Sequence, residues 1–211
     1  MLKEHFQRAM DDFYAMPACT NGNWGLIVTK AYMATAILTD DREMYDRAKD
    51  FYLNGEDNGT IRNYIDGETG QLQESGRDQQ HSMLGLSAMV CEVAWHQGDD
   101  LYGLLDNRFL KGCEYVARYN LGYDVPYKVW KDVTGKYSNW PVISEKGRGV
   151  IRPIFEAPFN HYVHRRGLEM PYTEELLEKF RPEGFNPEGD CGSLLFYEAA
   201  PLPAPEGLGH L

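Results

Sequence analysis

Residues Leu26 to Leu38 form a run that is apolar almost all round, with little in it to face water. A helix of that composition belongs inside a layer of other helices. The flanking sequence supplies such a layer. Phe6, Met10 and Phe13 recur at helical spacing within Leu2 to Met16, and Pro17 ends that segment. Thr39-Asp40-Asp41 caps a helix over Arg42 to Leu53, with Met44, Ala48 and Phe51 on its inner side. Ser75 and Asp78 form the acidic version of a capping box, predicting a helix from Ser75 or Gly76 to about Trp95. Gly98-Asp99-Asp100 opens another over Leu101 to Tyr119. A helix through Phe155, Phe159 and Tyr162 to about Arg166 follows, then a short one from Pro171 to Arg181. Alternation of period two is absent before Leu194–Tyr197, so the expected class is all-α. Nearly all-apolar helices alternating with amphipathic ones suggest inner and outer layers, as in an α/α toroid of helical hairpins. Residues 1–200 read as one domain and 201–211 as a flexible tail rich in Pro and Gly.

Two connections are long. Gly55 to Gly70 is polar, with Asn58-Gly59 and Asp66-Gly67, and its length marks it as functional or mobile. Gly122 to Glu145 is irregular and aromatic. Its Tyr127, Trp130, Tyr137 and Trp140 would serve either as sugar-stacking platforms or as loop anchors.

Composition narrows the partners. A net charge of −11 opposes nucleic acid or an anionic membrane as the main partner. No run approaches the roughly 18 apolar residues of a membrane span, and Met-Leu-Lys-Glu-His-Phe lacks the apolar core of a secretory signal. Cys19, Cys91, Cys113 and Cys191 contain no Cys-x-x-Cys pair; Cys91 and Cys113 fall in apolar helical stretches and read as buried thiols, with a disulfide left open. There is no Gly-x-Ser-x-Gly elbow, phosphate loop or His-Glu-x-x-His. His161 and His164 are a weak pair without a third metal ligand, so no metal is expected.

Chemistry concentrates between Gly70 and Gly85, where Glu74, Arg77, Asp78 and His81 lead into an apolar run. On a continuous helix Arg77 and His81 are i and i+4 and share a face. A cation and an imidazole at the mouth of a buried helix suit an anionic ligand, because the free N–H groups add to their charge. The same residues also fit an Arg77–Asp78 ion pair beside a structural histidine.

Glu-Ser-Gly-Arg-Asp-Gln-Gln-His, residues 74–81, resembles the signature of the alginate-lyase-like polysaccharide lyases, typically Gln-x-Gln-Glu-Ser-Gly-Arg-Asp-Gln-x-His. The likeness runs from about Trp24 to Tyr197 and implies an incomplete (α/α) toroid or barrel. Relatives usually carry several helices ahead of the Asn-Trp segment, so this chain corresponds to the C-terminal part of a toroid or to a shortened relative. One wall of the cleft is then absent or supplied by another subunit in a homo-oligomer. The implied activity is β-elimination on a uronate polymer, alginate or polyglucuronate in type, with no cofactor. The implied partner is an anionic polysaccharide, met by a local Arg and His cluster, since charges act over a Debye length of about 8 Å. Export to the periplasm or beyond is likewise implied.

Residue by residue, the resemblance makes Asn23 a carboxylate-neutralising group, although it serves equally as a helix N-cap, with Trp24 beside it for substrate. His81 becomes a neutraliser or base. Arg77 binds a neighbouring carboxylate, or holds Glu74 or Asp78. Arg148 and Arg152 lie in Gly-Arg-Gly-Val-Ile-Arg-Pro, with Arg152 the better candidate for substrate contact. Phe155 to Tyr162 matches a segment ending Tyr-Asn-His-Tyr, so Phe159 stands where relatives often have Tyr, and Phe transfers no proton. Tyr162, with Tyr137 as second choice, is the remaining proton-transfer candidate. Rival readings are a glycoside hydrolase using Glu74 and Asp78 as its carboxylates, and a non-catalytic, glycan-binding relative.

Overall fold

The computed structural model describes residues 2–15, 22–79, 81–186 and 190–198. The expectations for Pro17, Cys19 and the 201–211 tail lie outside these residues.

The described chain is helical, with one two-residue antiparallel ladder. Helices α1 (Leu2–Tyr14), α2 (Gly22–Leu38) and α3 (Arg42–Asn54) come first. A short α4 (Ile61–Tyr64) and a 3₁₀ turn at Gln73–Gly76 precede α5 (Ser82–Trp95) and α6 (Leu104–Asn120). After a long irregular stretch come α7 (Glu156–Phe159), a π-helical turn at Asn160–Arg165, α8 (Pro171–Phe180), the β1–β2 ladder and α9 (Gly192–Phe196). Asp41 caps α3 as its position predicts, its carboxylate accepting the Met44 N–H at 3.0 Å.

α2 is the hub, packing against α1, α3 and α5. Tyr32, Met33 and Ala36 of α2 meet Ala48 and Tyr52 of α3 and Leu84, Val90 and Cys91 of α5 in one core. Each fully buried Leu or Val there contributes about 1.5–3 kcal/mol. The expectation that α2 is buried all round is corrected: its neighbours cover one arc, and Trp24, Ile27 and Leu38 stay exposed, Leu38 at 78%. α5 is the helix buried nearly all round, from Met83 to Glu92 without a break.

The 55–70 connection is also corrected. Asp57, Asn58 and Thr60 are buried, Asp57 Oδ1 accepts the Gly59 N–H at 2.7 Å, and the Asn63 amide donates to the Asp57 carbonyl at 3.0 Å. Those internal bonds satisfy its polar groups and make it a packed support. Cys91 and Cys113 are buried free thiols, as expected.

Candidate active site

Gln71 to Gln79 does not continue α5 backwards. The predicted helix from Ser75 is interrupted, because His81 takes left-handed backbone angles (φ 49°, ψ 40°) and α5 begins only after it. Tertiary bonds replace the helical ones. Gln79 N–H donates to Lys146 O at 2.9 Å, its side-chain amide donates to Ser75 O and Ser144 O, each at 3.0 Å, and Ser144 N–H donates to Ser75 O at 3.0 Å. The aromatic loop clamps the same strip further along: Gln71 and Lys128 exchange two bonds of 2.8 Å, and Gln73 donates to Tyr137 O at 2.8 Å. Its aromatic residues anchor the clamp, with Tyr127 donating to Trp140 O at 2.8 Å. Gly76 is required beneath them, because a Cβ there would meet the Tyr127 hydroxyl and the Trp140 Cβ.

The break brings Arg77 and His81 together differently from the i, i+4 expectation: both converge on Glu74. Arg77 Nη2 donates to Glu74 Oε2 at 2.7 Å and its Nε to Asp78 Oδ2 at 3.1 Å. His81 Nδ1 lies 3.6 Å from Glu74 Oε1, outside hydrogen-bond reach, and neither atom has a hydrogen-bond partner. Both residues are almost sealed, His81 at 1% and Glu74 at 2% exposure. On the other ring nitrogen, His81 Nε2 is 2.7 Å from Gln79 Oε1. Since Gln79 uses its NH₂ group on two carbonyls, Oε1 accepts, and Nε2 carries the hydrogen. Nδ1 therefore faces the carboxylate as the ring position without a hydrogen. Tyr64 lies buried near Glu74 with its hydroxyl unpartnered, and burial, reinforced by Glu74, raises its pKa well above the ordinary phenol value.

Arg152 shares a small recess with His81. Gln79, Val116, Asn120, Val150, Ile151, Ile154 and Phe155 complete its lining, and its volume is about 10 Å³. That space is at the lower limit for one water, roughly 10–15 Å³. Asn23 sits in the first turn of α2, not at its cap, and its Oδ1 is buried without a partner. Its neighbour Gly22 abuts Met83, two residues beyond His81, so the starts of α2 and α5 lie side by side. Trp24 beside it is 61% exposed.

Three expected site residues are held elsewhere. Arg148 stacks on Tyr119 at 3.9 Å, donates to Tyr119 O at 3.0 Å and pairs with Glu145 at 3.0 Å, so it braces the loop. Burial and a bond to Glu145 push the Tyr119 hydroxyl up to about 12. Tyr137 is half-buried in the loop with Lys136 over its ring. Tyr162 is corrected: it is fully buried in the π-helical turn, its hydroxyl donates to Tyr102 O at 2.7 Å, and burial raises its pKa well above the usual value. A hydroxyl so enclosed is part of the core. Phe159 is buried nearby in α7.

The pairing of Glu74 and Asp78 with one arginine removes the arrangement of two separate carboxylates that glycoside hydrolysis requires. His161 stacks on Tyr102 at 4.0 Å in the core while His164 is exposed, and among the described residues no group of three or more His, Cys, Asp or Glu is placed to hold a metal. Gln79, Tyr64 and Asn120 were not legible as site residues. Gln79 stands inside the signature segment, but its role depends on Ser144 and His81, and no local pattern marks Tyr64 or Asn120.

A family model described as alginate lyase matches residues 3–124, a span that includes Asn23, Glu74, Arg77 and His81. No curated protein and no solved structure matches the chain. With more than half of its length matched, and the matched part carrying the Glu74–His81 centre, the chain belongs to the alginate lyase family.

Proposed function

We propose that the protein is a polysaccharide lyase that cleaves a uronate polymer of the alginate or polyglucuronate type by β-elimination. The observation that carries this reading is the sealed Glu74–His81–Gln79 array, with Arg152 on the wall of the same recess. In the reaction the C5 proton beside the uronate carboxylate leaves, a C4–C5 double bond forms, and the C4–O bond breaks. Neutralising the carboxylate makes that proton removable. Each well-placed donor is worth roughly 3 kcal/mol against the enolate-like state. Arg152 and the Asn23 amide take that task. His81 accepts the C5 proton, with the Glu74 carboxylate balancing the new charge, and the proton returns to the departing O4. Arg77 holds Glu74 in place, and Trp24 offers an exposed ring for a sugar on the approach. The helices form part of an α/α toroid in this reading.

Incubation with alginate, polyglucuronate and related polymers tests the proposal through ultraviolet absorbance of the conjugated uronate product. Absorbance rises with the true substrate, and His81→Ala and Arg152→Ala each abolish the rise while circular dichroism stays unchanged. Silence across the panel from folded protein would leave the glycan-binding relative as the reading. Wild-type rates in both variants would remove these residues from the site.

A further inference from the structure

A hollow of about 430 Å³ opens on the opposite side of α6 from the His81 recess. At 3.6 residues per turn, Lys111, Glu114 and Arg118 point one way and Val116 and Asn120 the other. The first set lines the hollow and the second lines the recess, so the body of α6 separates the two. The volume lies within the range of small-molecule sites, about 300–1,000 Å³.

The charges around the hollow are unequally occupied. Both oxygens of Glu114 accept backbone N–H groups at the start of α8, from Tyr172 at 3.0 Å and Thr173 at 2.8 Å. Lys111 is paired with Asp106 at 3.0 Å. Glu68 stands exposed at the rim. Arg118 differs from all of these. Its guanidinium lies over the Tyr172 ring at 5.2 Å, and its Nε is buried without an acceptor. Among the described residues the guanidinium has no hydrogen-bond or ion-pair partner. A planar, unpaired guanidinium facing a hollow suits a carboxylate, which it can bind with two parallel bonds. Val125 and Pro126 supply an apolar wall, the kind of surface that takes the C–H face of a pyranose.

We propose that this hollow is a second, non-catalytic binding site for a uronate residue of an oligosaccharide, with Arg118 taking its carboxylate. That the anion is a uronate rests on the proposed lyase reading; the unpaired Arg118 beside the hollow does not. The site holds the polymer at a point remote from the bond to be cleaved.

The test is isothermal titration calorimetry of the full chain with trimannuronate and triglucuronate, run in a His81→Ala background so that nothing is cleaved. Maltotriose serves as the uncharged control. Arg118→Gln weakens the uronate binding about tenfold or more, the loss of one charge-assisted pair, and maltotriose does not bind the hollow. Val125→Trp, which fills the hollow from a loop position, gives the same loss and answers the question if Arg118→Gln fails to fold. Equal affinity in parent and variants, equal binding of maltotriose, or no uronate binding by the parent each overturns the site. Turnover of polymer without Arg118-dependent binding overturns this site and leaves the lyase reading standing. Arg118-dependent binding without turnover does the reverse.

Discussion

His161 and Glu183 are buried and move stability in opposite directions with pH. Burial lowers His161 from 6.5 to about 4, although Asp100 opposes it. Between those values the unfolded chain binds a proton that the folded chain refuses. This contribution is therefore present above 6.5 and lost as pH falls toward 4, by up to about 3 kcal/mol. Burial raises Glu183 from 4.5 to about 7, against backbone donors at Phe155 and Glu156. Here the folded chain keeps a proton that the unfolded chain releases, so stability is greatest below 4.5 and is lost as pH rises through 7. The two effects oppose one another in the wild type. His161→Phe exposes the Glu183 slope, with stability falling as pH rises from 4.5 to 7. Glu183→Gln exposes the His161 slope, with stability falling as pH drops from 6.5 to 4. Urea midpoints across this range check both, and equal slopes in the two variants would contradict the assignment.

At the scale of elements, two close approaches hold the site together. The first turn of α2 lies against the 57–59 turn and the start of α5. A Cβ on Gly22 would come within 2.6 Å of Met83 Sδ and 2.7 Å of the Asn58 carbonyl carbon. Gly22→Ala therefore costs about 1–3 kcal/mol, as overpacking does, and displaces Asn23 from the His81 end. Its melting temperature falls, and turnover falls further than the lost folded fraction explains. Gly76→Ala acts on the other side by lifting Tyr127 and Trp140 from the 71–79 strip. The expected sign is faster proteolysis within residues 122–150 with the helical circular dichroism retained. Asp132 limits the damage, because burial, which raises its pKa, is outweighed by bonds from Ser138, Thr134 and Asn58 that hold it at about 2 and tie the loop together.

For the whole molecule, the proposed binding of an acidic polymer by an acidic chain is a conflict of distances. The net charge of −11 repels polyuronate at long range, while on the proposed reading Arg152 and Arg118 attract it at contact. Salt screens the first interaction more than the second, since the Debye length falls from about 30 Å at 0.01 M to about 10 Å at 0.1 M. The rate of capture, read as kcat/KM on polymer, thus rises with salt over that interval. A steady fall would mean that the local cations dominate even at a distance. The exposed Trp24, Ile27 and Leu38 stripe on α2 belongs to this scale too, because it leaves one side of the hub helix open to water.

Local sequence determined most of the helices. The apolar period, Asp41 as a cap and Pro171 at a first turn are short-range signals, and α3 and α8 appear where those signals put them, while α2 begins at Gly22, four residues ahead of the Leu26–Leu38 run. The signature segment also identified Glu74, Arg77 and His81 as the centre of interest. Tertiary structure decided how they meet. Hydrogen bonds that Ser75 and Gln79 share with Ser144 and Lys146 compete with the helical ladder and win. The resulting break at His81 turns a presumed helical face into two groups converging on one carboxylate. It likewise decided that Tyr162 belongs to the core and that Arg148 braces a loop. Spacing along a chain specifies which residues share a helix face, but a partner more than 60 residues away is chosen only when the helices pack.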